Sequence, residues 1–390
     1  MQSVPSLTSA LQRHIAQEIG AQGGWIGFDR FMAMALYTPG LGYYANDARK
    51  FGTMPTRVRS GVTLPGSDFV TAPELSRHFG RALAAQVEQA LQASGSDEVW
   101  EFGAGSGALA LQLLETLGGQ VRRYHIVELS ASLAQRQRRL LQAHGPKLKW
   151  ELELPPSIAG VVIGNELLDA MPVRLLQRLQ SQWHERGVAL GKSGAGPAAG
   201  AAAAALAPAL VWQDRPTATH PPLEIGGTHD YLTEIHPQAE AFIRTLAERL
   251  CASDQGGAVF LIDYGFPERE YYHPQRHMGT LMCHHAHQAD TDPLSDVGAK
   301  DLSAHVDFTG IAVAAQDAGL ELLGYASQGR FLLNCGLLDT LENASLADRA
   351  MAQKLVMEHE MGELFKVIGL CTGAPWPALG FAVGDRSHTL

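Results

Sequence analysis

The chain has few cysteines, no excess of basic residues and no long apolar run. Its 390 residues include four cysteines, Cys251, Cys283, Cys335 and Cys371, which lie far apart and form no C-x-x-C pair. This pattern argues against a disulfide scaffold and favours a reducing compartment. With 30 basic and 40 acidic residues, the chain also lacks the basic footprint of a nucleic-acid-binding protein.

The sequence shows no signal for export or membrane insertion. No apolar run approaches the roughly 20 residues that a membrane span needs. Residues 1–20 include Arg13, His14 and Glu18 instead of an apolar core, so neither a secretory signal nor an arginine-rich transit peptide is predicted. We therefore expect a cytoplasmic, globular protein.

A glycine-rich stretch is the most informative part of the chain. Residues 101–107, Glu-Phe-Gly-Ala-Gly-Ser-Gly, join an apolar strand predicted at 97–102 to a helical pattern at 108–117. A strand, a tight turn and a helix N-terminus form a site for a nucleotide-type cofactor, because backbone N–H groups face the ligand there. The cofactor contacts predicted in this turn are Gly103, Ala104, Gly105 and Gly107.

Glu101 decides which cofactor we predict. Gly103, Gly105 and Ala108, with Glu128 twenty residues later, also fit the NAD(P) fingerprint. A carboxylate at position 101 would repel the pyrophosphate of a dinucleotide. S-adenosyl-L-methionine has no phosphate and carries an ammonium and a sulfonium group. We therefore predict S-adenosyl-L-methionine, with an NAD(P)-dependent oxidoreductase as the weaker alternative.

Strands and helices alternate after this turn. Strands are predicted at 97–102, 123–128, 147–152, 159–164 and 258–263, and helices near 108–117, 130–142, 166–170 and 237–251. This rhythm predicts an α/β protein whose parallel sheet has helices on both faces. A helix at 308–318 and strands at 320–326 and 365–371 would add an antiparallel pair, giving a seven-stranded, mostly parallel, Rossmann-like sheet.

The sequence predicts that the chain is organised in two domains. Residues 1–94 form an N-terminal helical cap with a substrate or cofactor loop; it has helices at 7–19, 28–36 and 74–93. Residues 95–390 form the core, with insertions at about 173–235 and 266–306. Irregular β-structure is expected at 173–190 and 210–213, and residues 191–208, rich in Gly, Ala and Pro, are expected to be a flexible surface segment.

Six segments in this order resemble one family. They are FMxxALYxPxxGYY at 31–44, DFVTAPE at 68–74, EFGAGSG at 101–107, NELLDAMPV at 165–173, IDYG at 262–265 and HVDF at 305–308. The chain is similar to the S-adenosylmethionine-dependent methyltransferases that include MidA and the mitochondrial complex I assembly arginine methyltransferase.

The resemblance implies a methyltransferase that modifies a protein arginine, with a respiratory-chain subunit as the acceptor of one eukaryotic member. A non-catalytic, methyltransferase-like assembly or docking factor is the alternative. The oligomeric state is left open, with a homodimer as one option.

Carboxylates at two strand ends are candidate site residues. Glu128, one βα unit after Glu101, would accept both ribose hydroxyls of the cofactor, unless it is a solvated strand-end charge. Asn165 would contact the cofactor, while Glu166 and Asp169, spaced i and i+3 on a helix, would hold a guanidinium group. The alternative is helix capping by all three residues.

Further candidates lie in loops before helices. Asp68 is predicted to contact the methionine ammonium, whereas Thr71 and Glu74 have the spacing of a capping box. His305 and Asp307 are predicted as catalytic groups, His305 as a proton acceptor. A structural histidine bonded to Asp307 or to backbone is the alternative.

One loop is rich in potential metal ligands. Residues 273–292 contain five histidines, together with Cys283, Asp290 and Asp292. Their spacing matches no standard zinc site, and the adjacent His284 and His285 would not readily bind one ion together. No metal site is therefore predicted.

Overall fold

The computed structural model describes residues 4–46, 56–57, 63–64, 71–191, 208–285 and 288–390. The side chains of 4–6, 56–57, 63–64, 288 and 289 are not described. Asp68, His287 and residues 192–207 of the low-complexity segment lie outside the described residues. No helix among the described residues is long and apolar enough to cross a membrane.

The helices and strands alternate through most of the chain. The helices are α1 Val4–Ala21, α2 Phe28–Tyr37, α3 Ala72–Leu75, α4 His78–Ser94, α5 Ala108–Leu117, α6 Ala131–Leu140, α7 Pro237–Cys251, α8 Glu268–Tyr271, α9 Phe308–Asp317, α10 Gln328–Asn334, α11 Leu337–Thr340 and α12 Leu346–Lys354. The strands are β1 Trp25–Gly27, β2 Thr56–Arg57, β3 Thr63–Leu64, β4 Glu98–Phe102, β5 Arg123–Val127, β6 Leu148–Glu151, β7 Gly160–Asn165, β8 Arg174–Leu179, β9 Gln182–Leu190, β10 Leu210–Pro216, β11 Tyr231–Ile235, β12 Gly257–Phe266, β13 Met282–His285, β14 Gln288–Asp290, β15 Asp301–Ser303, β16 Val306–Asp307, β17 Leu320–Ser327 and β18 Phe365–Thr372.

The chain divides into two compact units, each built from three segments. The first unit comprises Met1–Lys50, Ala170–Gln238 and Arg269–Ala304, and the second comprises Phe51–Asp169, Ala239–Glu268 and His305–Leu390. The sequence predicted two domains with other bounds, 1–94 and 95–390, and that division stays a prediction. These units are drawn differently, because helix α4 belongs to the second unit and most of both predicted insertions belongs to the first.

The second unit contains the large sheet, in the order β17-β18-β12-β7-β4-β5-β6. Strands β12, β7, β4, β5 and β6 pair in parallel, and β18 is antiparallel to both β12 and β17. The short strand β16 pairs with β12 beside this path. The predicted α/β class is confirmed, and the predicted late antiparallel pair is present. An eighth strand of two residues stands beside the seven that were expected.

The strand order of the large sheet indicates where a ligand would bind. The chain leaves β4 for β5 on one side and later returns on the other side of β4 with β7. Ligands of open α/β sheets bind where the strand order reverses in this way, at the carboxyl ends of the strands. The runs 161–163 and 259–262 are fully buried, as central parallel strands require.

The first unit contains a smaller antiparallel sheet. Its order is β1-β9-β8-β11, with β10 also paired to β9. Strands β8, β9 and β10 are regular where irregular β-structure was predicted. The bidentate ion pairs Arg174–Glu185 and Arg186–Asp214 bridge neighbouring strands, and such cross-strand pairs fix strand register.

One predicted helix is broken in two. Thr71 and Glu74 form the expected capping box at α3. The predicted helix 74–93 is wrong at its start, because Ser76 is extended (φ −151°, ψ 127°) and ends α3 before α4 begins. Helices α5 and α7 have the predicted bounds.

Candidate active site

The glycine turn has the backbone conformation that its sequence demands. Gly103, Gly105 and Gly107 have φ values of 65°, 52° and 86°, in the left-handed region that glycine tolerates best. A Cβ at Gly103 would lie 3.2 Å from the side chain of Leu167. Helix α5 begins directly after Gly107. Ala104 is buried in the hydrophobic core, and the cofactor contacts of all four turn residues stay predictions.

Glu101 is a buried acid in β4 beside this turn. Its side chain is 2% exposed, and the hydroxyl of Tyr124 donates a hydrogen bond of 2.6 Å to its Oε2. Burial raises the pKa of Glu101 to about 7; the Tyr124 hydrogen bond opposes this rise, and the charge of Glu128 adds to it. A cationic ligand would stabilise the ionised carboxylate in this buried position, so Glu101 fits S-adenosyl-L-methionine.

Glu128 follows β5 and is held at both carboxylate oxygens. Its Oε1 accepts from the Ser130 N–H (2.8 Å), and its Oε2 accepts from Gln137 Nε2 (3.1 Å). Burial raises the pKa of Glu128, and these hydrogen bonds lower it. Each carboxylate oxygen keeps a second lone pair, so two ribose hydroxyls could still be accepted. The ribose role stays a prediction.

Asn165 ends β7 and carries an unsatisfied oxygen. Its Nδ2 donates to Glu166 Oε1 (3.0 Å), whereas its Oδ1 is buried without a hydrogen-bond partner in the described part of the chain. Buried side-chain oxygens normally have a partner. An ammonium or hydroxyl donor of a bound cofactor would supply one, which agrees with the cofactor contact predicted for Asn165.

The helix predicted at 166–170 is absent. The carboxylate of Asp263, in β12, accepts hydrogen bonds from the N–H groups of Leu167 (3.0 Å), Leu168 (2.8 Å) and Asp169 (3.3 Å). Its other oxygen accepts from the Tyr264 N–H (3.0 Å). The segment therefore wraps around one side chain instead of coiling into a helix.

The helix-capping alternative for Asn165, Glu166 and Asp169 is consequently wrong. No helix starts at these residues, and Glu166 adopts a left-handed conformation with φ 52°. The i and i+3 spacing on a helical face was also the wrong reason for pairing Glu166 with Asp169. The two acids are nevertheless close enough for the charge of Asp169 to raise the pKa of Glu166.

Three carboxylates share this buried region. Burial raises the pKa of Glu166 to about 8, and the charge of Asp169 adds to the rise, while hydrogen bonds from Asn165 and the Ala72 N–H oppose it. The pKa of Asp263 is raised well above its ordinary value by burial and by the charges of Asp169 and Glu166. Like charges at close range keep part of such a cluster protonated.

The remaining predicted residues are placed as follows. Asp307 caps α9, because its Oδ1 accepts from the Thr309 and Gly310 N–H groups. Burial raises the pKa of Asp307 to about 7, with these hydrogen bonds opposing. The ring of His305 contacts the rings of Tyr264 and Phe266. Catalytic roles for His305 and Asp307 stay predictions, as does the role of Asp68.

Sequence reasoning missed two residues that organise the site. Asp263 lies within the motif at 262–265 but received no role, although an acid that follows a buried apolar run is a recognisable signal. Gln137 lies in α6 with nothing in its neighbourhood to distinguish it. Among the described residues, no group of three or more His, Cys, Asp or Glu side chains could hold a metal ion.

Comparisons with known proteins identify the family. A family model described as "Putative S-adenosyl-L-methionine-dependent methyltransferase" matches residues 82–326. The chain belongs to this family. Its cofactor is S-adenosyl-L-methionine, and the NAD(P)-dependent alternative is wrong.

Individual relatives cover nearly the whole chain. A crystal structure of a protein from Burkholderia thailandensis bound to S-adenosyl-homocysteine is 43% identical, with a TM-score of 0.86, and covers 99% of this chain and 98% of that one. Protein arginine methyltransferase NDUFAF7, mitochondrial, of Danio rerio is 26% identical and covers 92% of this chain and 84% of the relative. The Drosophila melanogaster homolog is 27% identical, with shares of 92% and 86%.

These relatives correct one expectation. The cytoplasmic location predicted from composition and from residues 1–20 is contradicted, since the curated relatives from fish, fly and rat are each named mitochondrial. Composition reports the redox conditions that a chain tolerates, and it does not distinguish one reducing compartment from another.

We predict that Asp263→Ala lowers the free energy of unfolding by about 2–4 kcal/mol, because it leaves buried N–H groups without an acceptor. Chemical denaturation at pH 7 measures this loss. Asp254→Ala, at an exposed position in the turn before β12, is the matched control and should change stability by less than about 0.5 kcal/mol. Equal effects of the two variants would contradict the organising role of Asp263.

Glu101 should make stability depend on pH in the absence of cofactor. The carboxyl loses its proton near pH 4.5 in the unfolded chain and near pH 7 in the folded protein. The contribution of Glu101 to the free energy of unfolding should therefore fall as the pH rises from about 4.5 to about 7 and then level off. Glu101→Gln removes this contribution, leaves those of the other acids with raised pKa values, and should gain on the order of 2–3 kcal/mol over the parent at pH 8.

Denaturation at pH 5 and pH 8 measures this difference. Glu115→Gln, on the exposed face of α5, is the control and should follow the pH profile of the parent protein. Parallel profiles for Glu101→Gln and the parent would show that Glu101 ionises normally in the fold.

Proposed function

We propose that this methyltransferase modifies a nitrogen of an arginine side chain in a protein substrate. The curated relatives are named protein arginine methyltransferases, and they align with 92% of the chain. The observation that carries the proposal is that half-buried Glu166 and buried Asp169 lie in one acidic loop, where the charge of Asp169 raises the pKa of Glu166. A respiratory-chain subunit as the substrate stays a prediction from the family resemblance.

A guanidinium group suits this loop better than a neutral acceptor. Among the described groups, those that most shift the pKa of Glu166 are the carboxylates of Asp169 and Glu74, which raise it, and two uncharged hydrogen-bond donors, which lower it. None of these four groups is a cation. Arginine remains cationic at physiological pH and offers five donors in a planar fork. Paired hydrogen bonds to Glu166 and Asp169 would supply a counter-charge and orient one nitrogen.

The residues of the chain divide the work of the reaction. The glycine turn, Glu101, Glu128 and Asn165 would hold S-adenosyl-L-methionine. When bound, this cofactor supplies a methyl group on a sulfonium sulfur, which keeps the electron pair of the broken C–S bond. The substituted nitrogen must lose a proton, and Glu166 or Asp169 would accept it during or after methyl transfer.

Neutral variants of the two acids should separate catalysis from cofactor binding. We expect Glu166→Gln and Asp169→Asn to lower methyl transfer at least a hundredfold, because they remove charge stabilisation and the proton acceptor. Binding of S-adenosyl-homocysteine, measured by calorimetry, should stay within about threefold, because the acids contact the acceptor.

Glu153→Gln, at an exposed position after β6, is the matched control and should retain full activity. Full methyl transfer by both Glu166→Gln and Asp169→Asn would contradict the proposed roles. A chain whose cellular function survives the loss of methyl transfer would instead be a docking factor.

The raised pKa of Glu166 predicts the pH dependence of the reaction. A carboxyl with a pKa of about 8 is mostly protonated at pH 7 in the free enzyme and cannot accept a proton. At saturating cofactor, kcat/KM for the acceptor should rise about tenfold per pH unit up to the pKa of Glu166 and level off above it; the cationic cofactor should hold that pKa below its ligand-free value of about 8. The residual activity of Glu166→Gln should lack this midpoint; a flat profile for the parent protein would exclude Glu166 as the acceptor of the proton.

The acceptor itself can be identified directly. Incubation with labelled S-adenosyl-L-methionine and a lysate of the source organism, followed by mass spectrometry, should place the label on arginine. Label on lysine, on an N-terminus or on a small molecule would overturn the arginine proposal and leave the family assignment intact. The Glu166→Gln variant serves as the control for enzyme-dependent label.

A further inference from the structure

Gln137 connects three separate segments around the predicted cofactor site. It lies in α6, and its side chain is completely buried. Its Nε2 donates to the Gly105 carbonyl (3.0 Å) and to Glu128 Oε2 (3.1 Å). Its Oε1 accepts from Trp150 Nε1 (2.9 Å) in β6. One amide thus joins the glycine turn, the end of β5 and the edge of the sheet.

The polarity of these partners requires an amide in one orientation. A backbone carbonyl and a carboxylate can only accept, so both must face the NH₂ group, which has two hydrogens to give. The indole N–H of Trp150 can only donate, so it must face the amide oxygen. A carboxylate at this position would meet two acceptors, and an apolar side chain would remove the hydrogen-bond partner of three half-buried polar groups.

We propose that Gln137 is a positioning residue for the cofactor, which fixes Glu128 relative to the glycine turn. This inference rests on the proposed ribose role of Glu128. The Ser130 N–H holds one carboxylate oxygen of Glu128 and Gln137 holds the other, so the plane of the carboxylate is set before a ligand arrives. The same amide anchors the carbonyl of Gly105. A site fixed in advance loses less entropy on binding.

The test uses S-adenosyl-homocysteine as the probe and calorimetry as the measurement. Gln137→Glu keeps the shape of the side chain and places a carboxyl against Glu128. At pH 8 it should weaken binding about tenfold or more relative to the parent protein. At pH 6 the loss of affinity relative to the parent protein should be smaller, because a protonated carboxyl again has one hydrogen to donate. A merely structural defect would not produce a loss of affinity that grows with pH.

Gln86→Glu is the matched control. Gln86 is also fully buried, and its Oε1 accepts from the Gly380 N–H (2.8 Å), remote in the sequence from the glycine turn. It should leave the affinity within about twofold at both pH values. If Gln137→Glu fails to fold, Trp150→Phe replaces it: loss of the indole donor should weaken binding about threefold, and unchanged binding would overturn the inference.

Glu128→Gln separates this inference from the role on which it rests. Weak binding by Glu128→Gln together with a normal, pH-independent affinity of Gln137→Glu would overturn only the role of Gln137. Unchanged binding by Glu128→Gln would overturn the ribose role and the inference with it. If both hold, the loss caused by Gln137→Glu should be smaller in a Glu128→Gln background, because the opposing carboxylate is gone.

Discussion

The carboxylate of Asp263 is the interaction on which the arrangement of the acidic loop depends. It reaches from β12 to three consecutive N–H groups that lie 94 to 96 residues away in the sequence. Parallel pairing of β12 with β7, with Ile262 opposite Asn165, puts the acid beside the start of the loop. Burial and the neighbouring acids raise the pKa of Asp263 well above its ordinary value, and hydrogen bonds from backbone N–H groups oppose this rise.

The loop that results is under both backbone and electrostatic stress. Glu166 has φ 52°, a conformation that costs a residue with a Cβ about 1–2 kcal/mol and costs glycine almost nothing. Its carboxyl is also buried beside that of Asp169. Both features agree with the acceptor-binding role proposed for Glu166. Strained residues and perturbed pKa values concentrate at functional sites.

Local features of the site could be predicted from sequence, and long-range ones could not. The backbone of the glycine turn and the strand-end positions of Glu101 and Glu128 were predicted because a strand end, a turn and a helix start are adjacent in the chain. The helix at 166–170 was predicted from the alternation of strands and helices, and the tertiary hydrogen bonds to Asp263 override it. The hydrogen bonds of Gln137 could not be predicted either, because its partners lie at positions 105, 128 and 150 of the chain.

The segmented build of the first unit has a consequence for how the protein is made. This unit takes its last segment, Arg269–Ala304, from well beyond the middle of a chain of 390 residues. Ribosomal synthesis runs from the N-terminus, so the opening segment, Met1–Lys50, waits for most of translation before its unit is complete. Until β9 and β15 have been made, the buried faces of helices α1 and α2 lack strands against which they pack in the finished unit.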